Sequence, residues 1–320
     1  MSYSAGLVLL LVLVFGAGEA FWPVTLFLFG PRWVIALPLP VLAGLSAFLD
    51  RRLAVALTVV CLVLLVPLLG FNVPWARMAT WGQRTNAPTI RVLTWNVGGS
   101  VEPGPGPVAW VLDQAQPDIA VLQECSEARL DQPGDWFRNR AHHSCLLSRF
   151  AIVEVAERDP KDMWTLSGSG AIVRYGLETP LGRVELTNVH LETPREGLEA
   201  VLGSGSRGIA EMQAKYAQRE LEARVARRWV EEGTGGLRVV AGDFNTPVES
   251  NLFRTYWGEF SDCHEAAGWG FGHTKRTRRI GARIDHVLAG AGLECIDTKV
   301  GPWVGGDHAP LIATLRRSER

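Results

Sequence analysis

The first 74 residues carry very few charged side chains, and this feature limits the possible fold more than any other. The charged residues from Met1 to Pro74 are Glu19, Arg32, Asp50, Arg51 and Arg52. The segment from Leu53 to Phe71 has none, and it is long enough for a hydrocarbon core, which takes about 20 helical residues. Two more apolar runs, Ala5 to Gly30 and Trp33 to Leu49, precede it. We therefore predict a transmembrane region of about three helices in residues 1–73, with the lipid bilayer as its partner.

A cleaved signal peptide is the alternative interpretation of the N-terminus. Gly18-Glu19-Ala20 resembles a small-residue cleavage site. However, no Lys or Arg precedes the first apolar run and two further runs follow it, which favours membrane helices. We then expect Glu19 to face a neighbouring helix or to lie near a membrane interface, because a carboxylate in lipid is costly.

The positions of basic residues predict how the chain is oriented in the membrane. Arg51 and Arg52 make the loop between the second and third runs the most compactly basic, and the positive-inside rule places such a loop in the cytoplasm. Arg77 and Arg84, after the third run, favour the opposite orientation. We expect an integral protein of the inner or plasma membrane, with the remaining residues outside the cytoplasm.

The rest of the chain has the composition of an ordinary soluble domain. Subtracting the three basic and two acidic residues of the head from 32 Lys and Arg and 33 Asp and Glu leaves 29 and 31, a net charge near −2. Such a balance gives no electrostatic sign of an obligate nucleic-acid binder. Nothing in the sequence indicates an obligate protein partner.

Four cysteines follow the apolar head, and two interpretations of them stay open. Cys125, Cys145, Cys263 and Cys295 permit up to two disulfides in an oxidising compartment, and four buried free thiols are the alternative. Cys61 lies inside a predicted span. No Cys-x-x-Cys pair is present, so the sequence gives no support for a zinc ribbon.

Residues 74–88 contain prolines and polar side chains and are predicted to be a linker, which leaves residues 89–317 as a folded domain. Helical spacing predicts helices over Val108–Gln116 and Ile209–Glu232. Short apolar runs predict buried strands over Ile90–Trp95, Ile119–Gln123, Ser144–Leu147, Ala171–Tyr175, Val184–His190, Arg238–Ala241, Ile284–Leu288 and Leu311–Leu315. This alternation predicts an α/β domain of packed sheets covered by helices.

Polar side chains follow or precede many of these strands, where α/β proteins commonly build their sites. They are Asn96, Glu124, His190, Asp243, Asn245, Asp285, Asp307 and His308. Each alone is typical of a turn residue, but so many strand ends of this kind indicate a site.

Metal-assisted attack of water on phosphorus suits these residues. Mg²⁺, with Mn²⁺ as an alternative, prefers the oxygen ligands that Glu124, Asp307 and Asn96 offer, and it would polarise a phosphoryl oxygen. Asp243 or a His–Asp pair could accept the proton of water, and Asn245 could donate to oxygens that gain charge. The sequence has no His-Glu-x-x-His, Gly-x-Ser-x-Gly or Gly-x-x-x-x-Gly-Lys motif, so zinc peptidases, serine hydrolases and P-loop proteins are disfavoured.

Six ordered motifs in this region resemble those of the endonuclease/exonuclease/phosphatase superfamily. They are Thr94-Trp95-Asn96-Val97, Leu122-Gln123-Glu124, Asn188-Val189-His190-Leu191, Gly242-Asp243-Phe244-Asn245, Ile284-Asp285-His286-Val287 and Gly306-Asp307-His308-Ala309-Pro310-Leu311. The resemblance covers residues 90–315 and implies a two-sheet α/β sandwich like that of deoxyribonuclease I, with the site at the sheet ends.

The resemblance also implies a role for each motif residue. Asn96 and Glu124 would hold the metal, and Asp307 would complete or approach its shell. His190 would contact the scissile phosphate, and Asp243 would align or deprotonate the nucleophile. Asn245 would bind phosphate oxygens, and Asp285 would orient His308.

The sequence departs from the family pattern before the Ile-Asp-His motif. Members often have Thr-Trp or Thr-Tyr there, whereas this chain has the basic segment His273 to Arg279, which could face an anionic substrate or lie solvated at the surface. Arg149 also resembles a family position, although no role follows for it. Arg219 could approach phosphate or, as is usual on a helix, be solvated. His142, His143, His264 and His273 are predicted at the surface, and the Gly-rich segment Pro194–Gly208 at the substrate entrance.

We therefore expect a membrane-anchored, metal-dependent phosphodiesterase or nuclease. A phospholipid or sugar-phosphate hydrolase, such as a sphingomyelinase-like or inositol-phosphate enzyme, is the alternative, because one superfamily site serves many phosphoesters. A catalytically inactive membrane-bound scaffold is the second alternative, and the intact motifs disfavour it. We also expect the domain without residues 1–74 to fold and remain active.

Overall fold

The computed structural model describes residues 2–48, 50–79, 87–98, 106–158, 170–233, 235–277 and 280–318. Parts of three predicted segments lie outside the described residues. They are residues 80–86 of the linker, residues 99–105 of the glycine- and proline-rich segment after the first predicted strand, and residues 278–279 of the basic segment.

The N-terminal region is a set of apolar helices. They span Ser2–Val12, Trp22–Phe29, Pro38–Ala47 and Arg51–Leu69, with short π- or 3-10 turns at Leu13–Ala17, Gly18–Ala20 and Arg32–Ala36, and a five-residue helix at Trp75–Ala79 follows. The Asp50 side chain accepts hydrogen bonds from the Arg52 and Leu53 amides and so starts the helix Arg51–Leu69. Gly70, in the left-handed conformation, ends it.

Two helical segments, Ser2–Ala20 and Arg51–Leu69, are long and apolar enough to cross a membrane. The segments Trp22–Phe29 and Arg32–Ala47 meet at 93° and make a third only if the bent pair is one span. The predicted first span, Ala5 to Gly30, is therefore broken. Gly18 has φ 60, and Pro23 starts a new helix, so the chain turns at this point.

The remaining chain forms fourteen described strands. They are β1 Thr89–Asn96, β2 Ile119–Gln123, β3 Phe137–Ala141, β4 Ser144–Ser148, β5 Ile152–Glu157, β6 Ala171–Thr179, β7 Gly182–His190, β8 Leu237–Asp243, β9 Ser261–Asp262, β10 Lys275–Thr277, β11 Ile280–Ala282, β12 Asp285–Ala289, β13 Leu293–Val300 and β14 Leu311–Arg317. One six-stranded sheet has the order β13-β14-β1-β2-β4-β3, and the other has the order β5-β6-β7-β8-β12-β9. β10 and β11 form a separate ribbon.

The inner faces of the two sheets bury the main hydrophobic core. Val92 and Val121 of one sheet belong to the same buried cluster as Val173, Val239 and Val287 of the other. Strands buried on both faces are apolar throughout, which is why short apolar runs predicted them correctly. The two-sheet α/β sandwich expected from the sequence is confirmed.

Helices pack around the two sheets. They span Gly106–Ala115, Glu127–Leu130, Arg195–Ser204, Ser206–Glu231, Asn251–Trp257 and Cys263–Ala267. The first covers the sheet that contains β1, and the helix Ser206–Glu231, called the long helix below, covers the other sheet. The Gly-rich segment Pro194–Gly208 is mostly helical. Gly205 separates the helix Arg195–Ser204 from the long helix, and these two helices pack against each other.

The N-terminal helices contact the sandwich through buried polar groups. Glu19 pairs with Arg219 of the long helix at 3.0 Å and also contacts the Ser250 hydroxyl. Arg32 pairs with Glu249 at 3.1 Å. The sequence predicted that Glu19 faces a neighbouring helix or lies near a membrane interface. Neither prediction describes this arrangement fully, since the partner of Glu19 belongs to the sandwich. Removing a charge from water is costly unless it is paired, so these contacts join the two regions firmly.

Two disulfides connect the four cysteines that follow the head. Cys125 bonds to Cys145, and Cys263 bonds to Cys295, with Cα–Cα distances of 5.8 and 5.2 Å. Of the two sequence interpretations, the structure therefore has the disulfides. Cys61 is a buried free thiol.

Candidate active site

Strand pairing brings the predicted site residues to one edge of the sandwich. Parallel β1 and β2 pair Asn96 with Gln123, next to Glu124, and parallel β7 and β8 pair His190 with Asp243. β12 and β14 run antiparallel to their neighbours β8 and β1, so they begin where those strands end. The eight polar residues therefore meet although they are far apart in sequence.

The most buried part of the site is a histidine–carboxylate pair. His308 Nδ1 lies 2.9 Å from Asp285 Oδ2 and 3.2 Å from Oδ1, and both side chains are buried. The bond directs Nε2 toward Asp243, whose Oδ2 is 3.7 Å away. Burial by itself lowers the pKa of His308, but the charges of Asp285 and Asp243 outweigh burial and raise it to about 9.

Asp243 lies at the centre of the site, at the end of β8. Its Oδ1 accepts the Asn245 amide at 2.9 Å, and its Oδ2 is 3.9 Å from His190 Nε2. Asn245 has φ 48, a left-handed turn that asparagine tolerates. The Asn245 side-chain NH₂ donates to the Leu191 carbonyl at 2.8 Å, which leaves one of its hydrogens for another acceptor.

Asn96 lies between two carboxylates. Its Nδ2 is 3.0 Å from both Glu124 Oε1 and Asp243 Oδ2, and its Oδ1 accepts the Gly98 amide at 2.9 Å. A Cβ on Gly98 would lie 1.8 Å from Glu124 Oε2, so this position has to lack a side chain for the Glu124 carboxylate to stay in place. Glu124 itself has φ 51, just past the end of β2.

His190 and Asp307 complete the set from opposite sides. His190 Nε2 is 3.9 Å from both Glu124 and Asp243, and its side chain is 19% exposed. Asp307 Oδ1 is 3.9 Å from His308 Nε2, and Asp307 Oδ2 is 2.8 Å from Lys275 Nζ. Burial raises the pKa of the Asp307 carboxyl, but the hydrogen bond and charge of Lys275 outweigh this and keep it below its usual value.

Lys275 is a site residue that the sequence did not single out from its basic segment. Its Nζ also lies 2.8 Å from His308 Nε2, a contact that requires an unprotonated Nε2 because ammonium only donates. Lys275 therefore opposes the two carboxylates that favour a protonated His308. The antiparallel bridge between Lys275 and His308 fixes this juxtaposition, which only the folded chain brings about.

The structure gives two further residues a supporting role. Thr274 is buried, and its hydroxyl accepts the Ile284 and Asp285 amides at 3.3 and 3.1 Å. Arg219 is only 3% exposed, and it donates to the Asn245 carbonyl at 2.9 Å and to the Thr246 hydroxyl at 2.8 Å. Its solvated alternative is therefore wrong, because the Asn245 turn and Glu19 enclose it.

The other histidines differ partly from expectation. His142 is partly exposed and His143 is exposed, as predicted. His264 is buried and its Nε2 contacts the Gly270 carbonyl at 3.2 Å, so its predicted surface position is wrong. His273 is half-buried and stacks on Phe271. Arg149 lies over the Trp136 ring, away from the eight residues.

The donor set fits a hard divalent cation. Four carboxylates and two amides converge here, and oxygen ligands of this kind suit Mg²⁺ or Mn²⁺. Asp243, Asp285 and His308 each bring one ligand atom within 4.8 Å of the others. His308 Nδ1 is already bonded to Asp285, so a cation among these three would compete with that bond.

Comparison with known proteins agrees with the fold. The model of the Endonuclease/Exonuclease/phosphatase family matches residues 93–308, while no curated protein matches the chain. An endonuclease/exonuclease/phosphatase from Beutenbergia cavernae aligns with a TM-score of 0.54 at 18% identity, over 72% of each chain. A humanized D. rerio TDP2 aligns with 0.54 at 15% identity, over 71% of this chain and 99% of that one. D. rerio TDP2 complexed with single strand DNA product aligns with 0.52 at 15% identity, over the same shares.

The family match covers more than half of the chain, and the aligned structures share its two-sheet fold. Together with the converging oxygen ligands, this settles the class of the chain. It belongs to the endonuclease/exonuclease/phosphatase family and is a metal-dependent phosphoester hydrolase.

Proposed function

We propose that the chain is a membrane-anchored phosphodiester hydrolase in which water attacks phosphorus with the help of Mg²⁺ or Mn²⁺. In this proposal residues 1–73 are the anchor, residues 74–88 are a linker and residues 89–317 are the catalytic domain. The observation that carries it is the convergence of the eight predicted polar residues around Asp243, with His308 held by Asp285 at 2.9 Å.

Glu124, Asn96 and Asp307 would hold the cation, which supplies positive charge to the phosphoryl oxygens when bound. Asp243 is the proton acceptor for the attacking water, because its buried carboxylate lies within 4 Å of both histidines. A protonated His308 donates from Nε2 to a non-bridging oxygen, which takes the place of Lys275 Nζ at this nitrogen, while Asp285 keeps the ring oriented. Asn245 donates its remaining N–H to the same phosphate.

His190 gives its proton to the leaving oxygen. Its Nε2 lies 3.9 Å from both Glu124 and Asp243, at the edge of the site. The phosphorus–oxygen bond of the leaving group breaks as the oxygen of water bonds to phosphorus. A proton has then moved from the water to Asp243 and another from His190 to the leaving group.

The location of the domain is part of the proposal. Two disulfides are typical of an oxidising compartment, and they support the orientation that Arg51 and Arg52 favour, with the domain outside the cytoplasm. Nuclease activity of this chain remains a prediction. The D. rerio TDP2 structure holds a single strand DNA product, but the likeness of this chain to it concerns the fold alone.

The test is hydrolysis of bis(p-nitrophenyl) phosphate by the full-length chain in detergent, with Mg²⁺, Mn²⁺ or EDTA. We expect EDTA to abolish turnover, His308→Ala to lower kcat roughly 10²- to 10⁴-fold, and Glu124→Gln to raise the metal concentration needed for half-maximal rate. Glu178→Ala, at an exposed residue of β6 near the opposite end of the β6–β7 pair from His190, is the control. Near-normal rates in the first two variants would refute the assignment. A folded chain that neither binds metal nor cleaves any phosphoester would favour the scaffold alternative.

A further inference from the structure

A groove of about 360 Å³ runs between the site and the N-terminal helices. Its walls are mainly apolar, and the side chains that matter here are Phe29, Leu198, Leu202 and Ile280. They come from three parts of the fold: the N-terminal region, the helix Arg195–Ser204, and β11. The fold thus places an apolar channel beside a strongly polar site.

One end of the groove is shared with the candidate active site. Asn245 and Lys275 line the groove, and Lys275 also contacts Asp307 and His308 at 2.8 Å. Arg195 lines the same end and lies 3.7 Å from Asp307. A phosphate placed among His190, Asn245 and His308 would therefore have cationic groups beside it, and its substituent could continue into the groove.

The other side of the groove involves the membrane region. Phe29 ends the helix Trp22–Phe29, one half of the bent apolar pair. Leu202 is 78% exposed on the helix Arg195–Ser204 and lines the same groove. The groove therefore connects the catalytic edge to the part of the molecule that would contact lipid.

The chemistry of the walls favours a hydrocarbon chain over a nucleic-acid strand. Single strands are bound by aromatic rings that stack on the bases and by grooves of positive charge. Among the described residues of this groove, Phe29 is the one aromatic side chain, and the cations gather at the catalytic end. Leucine and isoleucine walls instead match the apolar lining that binds hydrocarbon.

We propose that the substrate is a phosphoester with a long hydrocarbon chain, taken from the bilayer with its phosphate at the catalytic edge and its chain in the groove. This rests on the proposed function, and it favours the lipid alternative over the nuclease. The reaction is hydrolysis of one phosphorus–oxygen bond, in which water supplies a hydroxyl to phosphorus and a proton to the leaving oxygen.

The test compares p-nitrophenyl methyl phosphate with p-nitrophenyl decyl phosphate, which share the leaving group and differ only in the alkyl chain. The full-length chain in phosphatidylcholine nanodiscs is used with Mg²⁺. Burial of one methylene strengthens binding about fourfold, so we expect kcat/KM for the decyl ester to exceed that for the methyl ester by at least about 100-fold.

Variants separate groove binding from simple partition of the decyl ester into the nanodisc. Leu202→Asn and Ile280→Asn are expected to lower the decyl-to-methyl ratio of kcat/KM about tenfold each, since each places an amide against the chain. Val153→Asn is the control, because Val153 is an exposed apolar residue of β5 outside the groove. Partition would affect all three variants equally.

Each outcome has one meaning. A decyl preference that both groove variants reduce supports the proposal. Equal rates for the two esters, a ratio unchanged in the groove variants, or faster cleavage of single-stranded DNA than of the decyl ester would overturn it while leaving the phosphodiesterase intact. Failure to cleave any of these substrates would instead overturn the proposed function.

Discussion

Buried charged and titratable side chains decide much of the chemistry at the residue scale. The carboxylates of Asp285 and Asp243 raise the pKa of His308, whereas burial lowers the pKa of His264 to about 4, with the charge of Arg283 adding to the effect. The pKa values of the two histidines differ because the His308 ring is bonded to the Asp285 carboxylate, whereas the His264 ring contacts the Gly270 carbonyl. Burial favours the neutral ring unless a negative partner outweighs it.

His264 is expected to make the protein sensitive to acid. Above pH 6.5 the ring is neutral in both the folded and unfolded chain, so it has no effect on stability. As pH falls from 6.5 to about 4, the unfolded chain takes up a proton that the folded chain does not, and the free energy of unfolding decreases. At pH 5 the loss is about 2 kcal/mol. His264→Gln, which can still donate to Gly270, should lose less stability between pH 7 and pH 5.

Thermal denaturation of the full-length chain at the two pH values checks this prediction. Other acidic groups contribute equally to the wild type and the variant, so the difference between their pH dependences isolates His264. Parallel pH dependences would show that His264 is not buried neutral in the folded chain.

At the scale of elements, the turn after β2 carries Glu124, and a disulfide holds it. Cys125 directly follows Glu124 and bonds to Cys145 at the start of β4. Because Glu124 has a left-handed backbone conformation, the turn needs support from its neighbours. The second disulfide, Cys263–Cys295, connects a short helix to β13 and lies outside this turn.

The two disulfides should therefore differ in their effect on metal use. Replacing Cys125 and Cys145 by serine is expected to lower stability by about 2–5 kcal/mol and to raise the Mg²⁺ concentration for half-maximal rate several-fold. Replacing Cys263 and Cys295 by serine is the matched control, with a similar loss of stability and an unchanged Mg²⁺ requirement. Denaturant unfolding and metal titration measure the two effects. An equal Mg²⁺ requirement in both double variants would contradict a role for the first disulfide at Glu124.

At the scale of the whole molecule, the N-terminal region is part of the packing of the catalytic domain. Glu19 bonds to Arg219, and Arg219 also holds the Asn245 carbonyl. Asn72 donates to the carbonyls of His264 and Gly268 at 2.6 and 2.8 Å. The domain without residues 1–74 is still predicted to fold and remain active, but with lower stability, because Arg219 would lose its buried carboxylate.

Loss of that carboxylate is predicted to weaken the sandwich and its site together. Glu19→Gln in the full-length chain should lower the free energy of unfolding by about 3–5 kcal/mol, and removal of residues 1–74 should lower it at least as much. Asp50→Asn, at the exposed start of the helix Arg51–Leu69, is the control and should cost about 1 kcal/mol or less. Chemical denaturation, followed by tryptophan fluorescence, measures the change. A truncated domain as stable as the full-length chain would show that Glu19 contributes nothing.

The sequence by itself determined the apolar strands of the sandwich and the polar residues that lie at their ends. Strands buried on both faces are mostly apolar, so runs such as Ile119–Gln123 and Leu311–Leu315 were predictable from composition alone. The strands β3, β5, β9, β10, β11 and β13 were not predicted, because they are short or contain polar and exposed residues and so lack a continuous apolar run. The polar strand ends were predictable because α/β folds gather them at one edge.

Only the tertiary structure decided which distant residues meet. Lys275, Arg219 and Glu19 carry no local signal that tells a paired charge from a solvated one, because pairing depends on packing between remote segments. The burial of Glu19 has the same origin, since its partner Arg219 lies 200 residues away. Local pattern sets the secondary structure and the chemistry available, whereas contacts between remote segments set the partners, and the groove beside the site is formed by those contacts.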